Sequence, residues 1–336
     1  MTRGVAIIGA GSWGTALAIM AARRDHEVRL WSRNTSVVAA INHEHLNPVH
    51  LKGVLIPAGV RAENDLAAAV AGAELTILAA PSHAIRNILE SMAPVLNPEL
   101  ILVSASKGIE SETGRRISQI VAEVIPVAVR PRFVCLSGPS FAEEVVANHP
   151  TAVVAASDDA AAARTVQSEL SFENLRIYTN ADVVGTELGG SVKNVMAIAA
   201  GMVAGLGFGA NSIAALITRG LAETTRLALR EGAQLETLMG LAGVGDLVLT
   251  CTGSLSRNRF VGYELGKGRS LSDITAGMNE VAEGVKTTLA VKRRADQLGV
   301  AMPITSEVHA VLYDGKLASD AANELMMRPL REESNR

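Results

Sequence analysis

In the first 180 residues, short runs of Val, Ile and Leu alternate with Ala-rich stretches of helical character. The runs are hydrophobic at consecutive positions rather than at every second position, which indicates strands that are covered on both faces. Strands and helices that alternate in this way predict a doubly wound α/β sheet. The predicted strands are residues 5–9, 27–32, 75–80, 100–105, 133–138, 151–156 and 175–178.

The pattern changes at about residue 181, beyond which long Ala-, Leu- and Met-rich stretches are separated by glycines. Because β-branched runs bounded by turns are almost absent there, this half is predicted to be all-helical. We therefore place one domain at residues 1–180 and a second at residues 181–330. The predicted helices include residues 211–231, 256–266, 284–298 and 304–313, the last with Pro303 in its first turn.

No charged residue lies between Lys193 and Arg219, and on length alone this stretch could span a bilayer. Glycines and the Asn211-Ser212 pair interrupt it. We interpret it as two buried helices joined at residues 207–210, with Asn211 or Ser212 capping the second. No membrane insertion is predicted.

Composition narrows the class of protein. The chain has 336 residues, 48% of them hydrophobic, which suits a large core divided between two domains. Aromatic residues make up only 3%, so Ala, Val, Leu and Ile must fill that core. The 31 basic and 34 acidic residues nearly cancel and form no block of like charge, which argues against a nucleic-acid partner.

Cysteine and histidine usage argues against a metal site. Neither Cys135 nor Cys251 has a second Cys or His at metal-ligand spacing, and a reduced, cytoplasmic setting fits both. The group His43, His45 and His50 could bind a metal, but we favour solvated histidines on a surface loop. The N-terminal residues lead almost directly into the first apolar run, so no export signal is predicted.

A glycine-rich segment, GAGSWG, follows the first predicted strand and precedes a predicted helix. In a dinucleotide-binding Rossmann domain the first glycine permits the tight turn, the second lets the backbone approach a pyrophosphate, and the third packs helix against strand. The helix N-terminus adds the positive end of its dipole. The three glycines are Gly9, Gly11 and Gly14; the alternative is a glycine-rich turn without a ligand.

Cofactor preference depends on the end of the second strand. An NAD-selective site would carry Asp or Glu there for the ribose hydroxyls, whereas this chain has Ser32 and Arg33. Because an arginine can pair with a 2′-phosphate, we favour NADP(H), alone or alongside NAD(H). The alternative is a solvated surface arginine.

Seven segments, in order along nearly the whole chain, resemble those of bacterial NAD(P)-dependent glycerol-3-phosphate dehydrogenases. They are GAGSWGTALA from residue 9, PSHAIR from 81, SKGIE from 106, LSGPSFAEEV from 136, ELGGSVKNVMAIAAG from 187, GLAGVGDLVLTCTGSLSRNRFVG from 240 and VAEGVKT from 281.

The resemblance implies a Rossmann domain followed by an all-α domain like the C-terminal domain of 6-phosphogluconate dehydrogenase. It also implies reversible hydride transfer between NAD(P)H and dihydroxyacetone phosphate, giving sn-glycerol 3-phosphate for phospholipid synthesis. A homodimer is expected on the same ground.

Carried over residue by residue, the resemblance makes Lys193 the general acid/base and a substrate contact. The other substrate contacts would be Lys107, Gly138, Ser140, Asp246, Ser256, Arg257 and Asn258. The cofactor contacts would be Ser12, Trp13, Arg33, Lys107, Ala142, Arg257, Val281 and Glu283, in addition to Gly9, Gly11 and Gly14 of the glycine-rich motif.

The chemistry is consistent with these residue types. Reducing a ketone places negative charge on the carbonyl oxygen, so a proton donor is required there. The ordinary lysine pKa, about 10.4, holds a proton too tightly, but desolvation and a neighbouring cation such as Lys107 would lower it for Lys193. Asp246 is a helix cap, a partner of Lys193 and the substrate hydroxyl, or both.

Residues 254–259 are predicted to open a helix, with Ser254 or Ser256 as the N-cap. Free backbone N–H groups and a guanidinium could then face a phosphate. The alternative is an ordinary capped helix with solvated arginines.

Two other functions remain open. The nearest is another β-hydroxyacid dehydrogenase acting on a carboxylate, such as 6-phosphogluconate or 3-hydroxyisobutyrate. The second is a non-catalytic dinucleotide sensor, which would be marked by loss of Lys193 or Asp246; both residues are present.

Overall fold

The computed structural model describes residues 3–278, 282–330 and 332–333. The chain divides into two compact units. The first comprises Met1–Ser106 and Arg116–Val183, and the second Lys107–Arg115 and Val184–Arg336. The short segment Lys107–Arg115 therefore belongs with the helical half, although the sequence analysis put it in the first domain.

An eight-stranded sheet forms the centre of the first unit, in the order β3-β2-β1-β4-β5-β6-β7-β8. Neighbouring strands are parallel except β6 and β7, which are antiparallel. The doubly wound α/β fold is confirmed. The strands are β1 Gly4–Ile8, β2 Glu27–Trp31, β3 Val60–Glu63, β4 Leu75–Leu78, β5 Ile101–Ser104, β6 Arg132–Ser137, β7 Thr151–Ala156 and β8 Leu175–Asn180.

Helices cover both faces of this sheet, which explains why its strands are hydrophobic at consecutive positions. In β1, Val5 and Ile7 enter one hydrophobic core and Ala6 and Ile8 enter another. The helices are α1 Ser12–Ala22, α2 Thr35–Glu44, α3 Leu66–Val70, α4 Ile85–Met92, α5 Ile117–Val124, α6 Ala142–Val146 and α7 Ala160–Leu170.

The sequence analysis missed β3. This strand lies at the edge of the sheet and pairs only with β2. Val60 and Ala62 are buried while Arg61 is exposed, so the strand alternates in polarity and lacks the continuous apolar run of the central strands.

Helices form the second unit, as predicted. Its helices are α8 Val183–Gly205, α9 Ala210–Arg230, α10 Leu235–Leu238, α11 Asp246–Thr252, α12 Arg257–Gly266, α13 Leu271–Ala276, α14 Glu283–Leu298, α15 Pro303–Tyr313 and α16 Ala318–Met326. Pro303 is the first residue of α15, where its missing N–H costs no helical hydrogen bond.

Two stretches are long and apolar enough to cross a membrane by length and composition alone, Val183–Gly205 and Leu235–Thr252. The apolar window of the first is 83% buried inside the protein, as expected of a core helix. The second is divided into α10, a π-helical turn at Leu241–Gly245, and α11.

The charge-free stretch is two helices, as predicted, but two details were wrong. Gly209, rather than Asn211 or Ser212, occupies the N-cap of α9 and has an extended backbone with ψ −174°. The first turn of α9 is also largely exposed, so burial begins only further along the helix, at Leu216. Gly is among the residues preferred at N-caps, although it offers no side-chain acceptor to the first N–H groups of the helix.

A buried carboxylate caps α15. Glu223 of α9 is 2% exposed and accepts hydrogen bonds from the backbone N–H groups of Ile304 (2.7 Å) and Thr305 (3.3 Å). Burial raises the pKa of Glu223 to about 7, although these hydrogen bonds and the charge of Arg226 oppose the shift. The folded protein therefore binds a proton at Glu223 more tightly than the unfolded chain does.

Comparing wild type with Glu223→Gln should isolate this effect, because glutamine keeps an acceptor oxygen but does not titrate. The stabilisation from protonated Glu223 is complete below the ordinary pKa of 4.5 and is lost as pH rises through about 7. The unfolding free energy of wild type minus that of the variant should thus fall by on the order of 3 kcal/mol between about pH 5 and about pH 8. Urea denaturation across that range measures it.

Glu223→Ala provides the control, since it removes the acceptor and should destabilise the protein by about 1–3 kcal/mol relative to Glu223→Gln. Parallel pH curves for wild type and Glu223→Gln would contradict the expectation.

Candidate active site

The glycine-rich turn between β1 and α1 has the geometry that its sequence predicts. Gly9 has φ +120°, and a Cβ there would lie 2.8 Å from the carbonyl oxygen of Ala79. A Cβ on Gly14 would overlap the carbonyl oxygen of Gly9, whereas one on Gly11 would meet nothing within 4 Å. The first and third glycines are thus required for packing, and the second leaves open space in which a pyrophosphate could approach.

Two polar side chains border this turn. Asn47, which the sequence analysis missed, is buried and donates from Nδ2 to the Ala10 carbonyl and to Thr15 Oγ1, both at 3.0 Å. Trp13 Nε1 is buried and has no acceptor in the part of the chain that the structure describes. Since buried N–H groups are nearly always paired, Trp13 fits a bound anionic ligand such as a dinucleotide.

Arg33 is exposed and immediately follows Ser32, the first residue beyond β2. The backbone on either side is fixed: Asn64 Nδ2 donates to the Ser32 carbonyl at 2.7 Å, and the Asn34 side chain caps α2. An accessible guanidinium between these fixed points could pair with a 2′-phosphate.

The remaining predicted contacts of the first unit follow the sheet strands. Ser12 is the first residue of α1, and Ala142 is the first residue of α6. Gly138 directly follows β6, and Ser140 Oγ donates to its carbonyl at 3.1 Å. The hydroxyls of Ser104 and Ser137, at the carboxyl ends of β5 and β6, are buried and have no partner among the described residues.

In the second unit, a single carboxylate faces two lysines. Lys193 Nζ lies 2.5 Å from Asp246 Oδ1, and Lys107 Nζ lies 2.8 Å from Asp246 Oδ2. The Asp246 side chain is fully buried, while those of Lys193 and Lys107 are 8% and 15% exposed. The structure thus brings together three residues that the sequence analysis placed in the site.

Thr250 completes this group and was missed by the sequence analysis. Its hydroxyl accepts from Lys193 Nζ at 2.9 Å and donates to the backbone carbonyl of Asp246 at 2.6 Å. The sequence could have indicated Thr250, because it lies four residues after Asp246 and residues four apart share one face of a helix. Gly245, not Asp246, is the N-cap of α11, so of the two roles considered for Asp246 the structure has the lysine partner.

Close packing around α8 makes these distances possible. The π-helical turn before α11 carries two of the glycines of GLAGVGDL. A Cβ on Gly189 of α8 would collide with the carbonyl oxygen of Ala242, and one on Gly243 would collide with that of Leu238. A larger residue at position 189 would push this turn, and with it Asp246 at the start of α11, away from α8, and one at position 243 would push the turn away from α10.

Burial lowers the pKa of Lys193 to about 8, the negative charge of Asp246 opposes the shift, and the positive charge of Lys107 reinforces it. The carboxylate divides its attraction between two ammonium groups, so it holds the Lys193 proton less tightly than an isolated partner would. Burial raises the pKa of the neighbouring Cys251 thiol to about 12, which disfavours the thiolate that a nucleophile needs.

A chain of hydrogen bonds begins at the residue after Lys193. Asn258 Nδ2 donates to Asn194 Oδ1 at 2.9 Å, and the backbone N–H of Gly284 donates to Asn258 Oδ1 at 2.9 Å. Asn258, a predicted substrate contact, is therefore also held in place by α8 and α14.

The other predicted contacts of this unit lie at helix starts. Ser256 is the N-cap of α12 and accepts from the N–H of Arg259 at 3.2 Å, so one of the two predicted caps is confirmed. Arg257 is the exposed first residue of α12, and Glu283 is the first residue of α14. Val281 lies outside the described residues.

Comparison with known proteins gives a consistent result. Residues 4–163 match the N-terminal domain of NAD-dependent glycerol-3-phosphate dehydrogenase, and residues 182–323 match its C-terminal domain. The glycerol-3-phosphate dehydrogenase [NAD(P)+] of Koribacter versatilis is 54% identical, with 97% of each chain covered. That of Myxococcus xanthus is 50% identical over 97% of this chain and 98% of the relative.

A solved structure shows the same family likeness. The crystal structure of glycerol-3-phosphate dehydrogenase from Coxiella burnetii superimposes with a TM-score of 0.94 at 38% identity, covering 97% of this chain and 99% of that one. The chain therefore belongs to the family of NAD-dependent glycerol-3-phosphate dehydrogenases.

Proposed function

We propose that this protein catalyses reversible hydride transfer between NAD(P)H and dihydroxyacetone phosphate, giving sn-glycerol 3-phosphate. The observation that carries the proposal is the arrangement of Lys193, whose buried ammonium is held by Asp246 and Thr250 and whose pKa is about 8. The family relationship supports this triose phosphate as the substrate. Absorbance of NADPH and of NADH, followed separately with dihydroxyacetone phosphate, tests it directly.

Lys193 is the proposed general acid and base. An ammonium has three N–H bonds, and Asp246 and Thr250 accept two of them. The third has no acceptor among the described residues, and it is the one that can point at a substrate carbonyl. Donating this proton neutralises the negative charge that develops on the oxygen during reduction.

In the reverse direction, neutral Lys193 keeps two N–H bonds toward Asp246 and Thr250, which leaves its lone pair at the third position to accept the proton of the substrate hydroxyl. Because its pKa is about 8, both protonation states are populated near neutral pH. Asp246 and Thr250 thus orient the amine, and Lys107 keeps its basicity low.

The start of α12 is the proposed phosphate site. Arg257 is exposed there, and the N-cap Ser256 places the first N–H groups of the helix beside it. A helix N-terminus and a guanidinium both favour a phosphate dianion. Asn258, fixed by Asn194 and Gly284, would add a directional contact.

The glycine-rich turn, with Trp13, is the proposed binding site for the cofactor pyrophosphate. A bound nicotinamide cofactor supplies the hydride for reduction. The other proposed cofactor contacts are Ser12, Arg33, Lys107, Ala142, Arg257, Val281 and Glu283.

The alternatives receive less support. The relatives are named for glycerol 3-phosphate, which favours that substrate over a carboxylate. A non-catalytic sensor would not need a lysine held at 2.5 Å from a buried carboxylate. A cytoplasmic setting is proposed from the two free cysteines, and a homodimer and a role of the product in phospholipid synthesis are proposed on the family likeness alone.

Replacing Lys193 should remove catalysis and leave cofactor binding. Lys193→Ala is expected to lower kcat by about 100- to 10,000-fold through loss of general acid catalysis. Lys193→Arg should not restore it, because a guanidinium gives up its proton too poorly. NADPH binding, measured by fluorescence titration, should persist in both variants. Turnover above about a tenth of wild type in Lys193→Ala would overturn the assignment.

Arg33→Asp should weaken NADPH use far more than NADH use. Loss of a charge-assisted pair with the 2′-phosphate corresponds to about 10- to 100-fold in kcat/KM for NADPH. Arg61→Asp, which makes the same charge change at an exposed position on β3, is the matched control and should affect neither cofactor. Equal losses for NADPH and NADH in Arg33→Asp would exclude the role.

The phosphate site is tested with dihydroxyacetone, which lacks the phosphate and should be a very poor substrate. At saturating NADPH, Arg257→Ala should lose about 1.5–3 kcal/mol of transition-state stabilisation with dihydroxyacetone phosphate. It should lose almost nothing further with dihydroxyacetone. Arg230→Ala, at an exposed arginine ending α9, is the control. Equal losses with both substrates would favour a carboxylate substrate instead.

A further inference from the structure

Lys107 is carried by a segment that folds as part of the second unit. Ile109 of this segment is buried in the helical core. The following residues form a small closed turn, in which the N–H groups of Glu110 and Gly114 donate to the carbonyls of Arg115 and Glu110, both at 2.9 Å. The Thr113 hydroxyl also donates to the Glu110 carboxylate.

The side chain of Arg293 forms hydrogen bonds between the helices and this turn. Arg293 of α14 donates from Nη1 to the carbonyl of Ser111 at 3.0 Å and to that of Glu112 at 2.8 Å. Both acceptors are backbone atoms, so the contact fixes the path of the chain whatever side chains the turn carries. Charge-assisted hydrogen bonds of this kind are stronger than neutral ones.

We propose that Arg293 is a positioning residue for Lys107. It holds the segment 107–115 so that the Lys107 ammonium stays paired with the Asp246 carboxylate. The inference deepens the proposed function and depends on it. Arg293 would act on catalysis without touching the substrate, the cofactor or Lys193.

The expected effect follows from the charges around Lys193. Asp246 and Lys107 are the charged groups that shift its pKa, and the thiol of Cys251 faces it from α11. If the segment loosens and Lys107 leaves Asp246, the carboxylate attracts Lys193 alone. The Lys193 proton is then held more tightly, so the pH at which this amine becomes a base rises.

The first test is the pH profile of kcat/KM for glycerol 3-phosphate oxidation. In Arg293→Ala, the rising limb should move to higher pH by about half a unit, which is about a threefold loss of rate on that limb. Arg293→Lys should recover part of the shift, since an ammonium can still donate to a carbonyl. Lys292→Ala is the matched control: it removes a neighbouring cation of α14, paired with Asp296, and should leave the limb in place.

A double-mutant cycle separates positioning from a general effect. Lys107→Met should itself move the limb upward, and Arg293→Ala should add no further shift in that background. An unmoved limb in Arg293→Ala overturns the inference, and so does an equal shift with and without Lys107. If wild type fails to oxidise glycerol 3-phosphate at all, the proposed function itself is wrong.

Hydrogen exchange supplies a readout that does not depend on activity. In Arg293→Ala, the amides of Glu110 and Gly114 should exchange at least about tenfold faster than in wild type or Lys292→Ala, because their hydrogen bonds open more often. The urea midpoint should stay close to that of wild type. Unchanged exchange at both amides would overturn the inference even if the pH limb moved.

Discussion

Asp246 is completely buried and lies between the ammonium groups of Lys107 and Lys193, which compensate its charge, and it also accepts a hydrogen bond from Thr250. Removing Asp246 would leave two ammonium groups without their shared counter-charge, which is far more costly than losing a surface pair. The arrangement therefore demands that three distant parts of the sequence meet within hydrogen-bond distance.

Glycines allow the helices around α8 to approach it closely. A Cβ on Gly201 of α8 would collide with the carbonyl oxygen of Arg259, and one on Gly262 of α12 would collide with that of Ile198. Together with Gly189, these positions let neighbouring backbones approach α8 closely along much of its length.

The sequence predicted what depends on repeated local patterns and missed what depends on single distant contacts. Strands covered on both faces, and the helices of the second half, follow from continuous or periodic hydrophobicity. The edge strand β3 and the extended Gly209 cap lack such a pattern. Lys193 and Asp246 were identified through the resemblance, but their pairing stayed one of two possibilities. The contacts of Asn47 and Thr250 become evident only when the folded chain brings their partners close.

The segment 107–115 has a consequence for how this enzyme can be recombined with its relatives. A hybrid joined near residue 181 would import Lys193, Asp246 and Thr250 from one parent and Lys107 from the other. The ion cluster would then combine residues of two lineages. The turn at 107–115 would come from one parent and α14 from the other, so two parts that are in contact would not have evolved together. An exchange that respects this fold must therefore take two separate pieces of gene, the long C-terminal stretch and the short insert that folds with it.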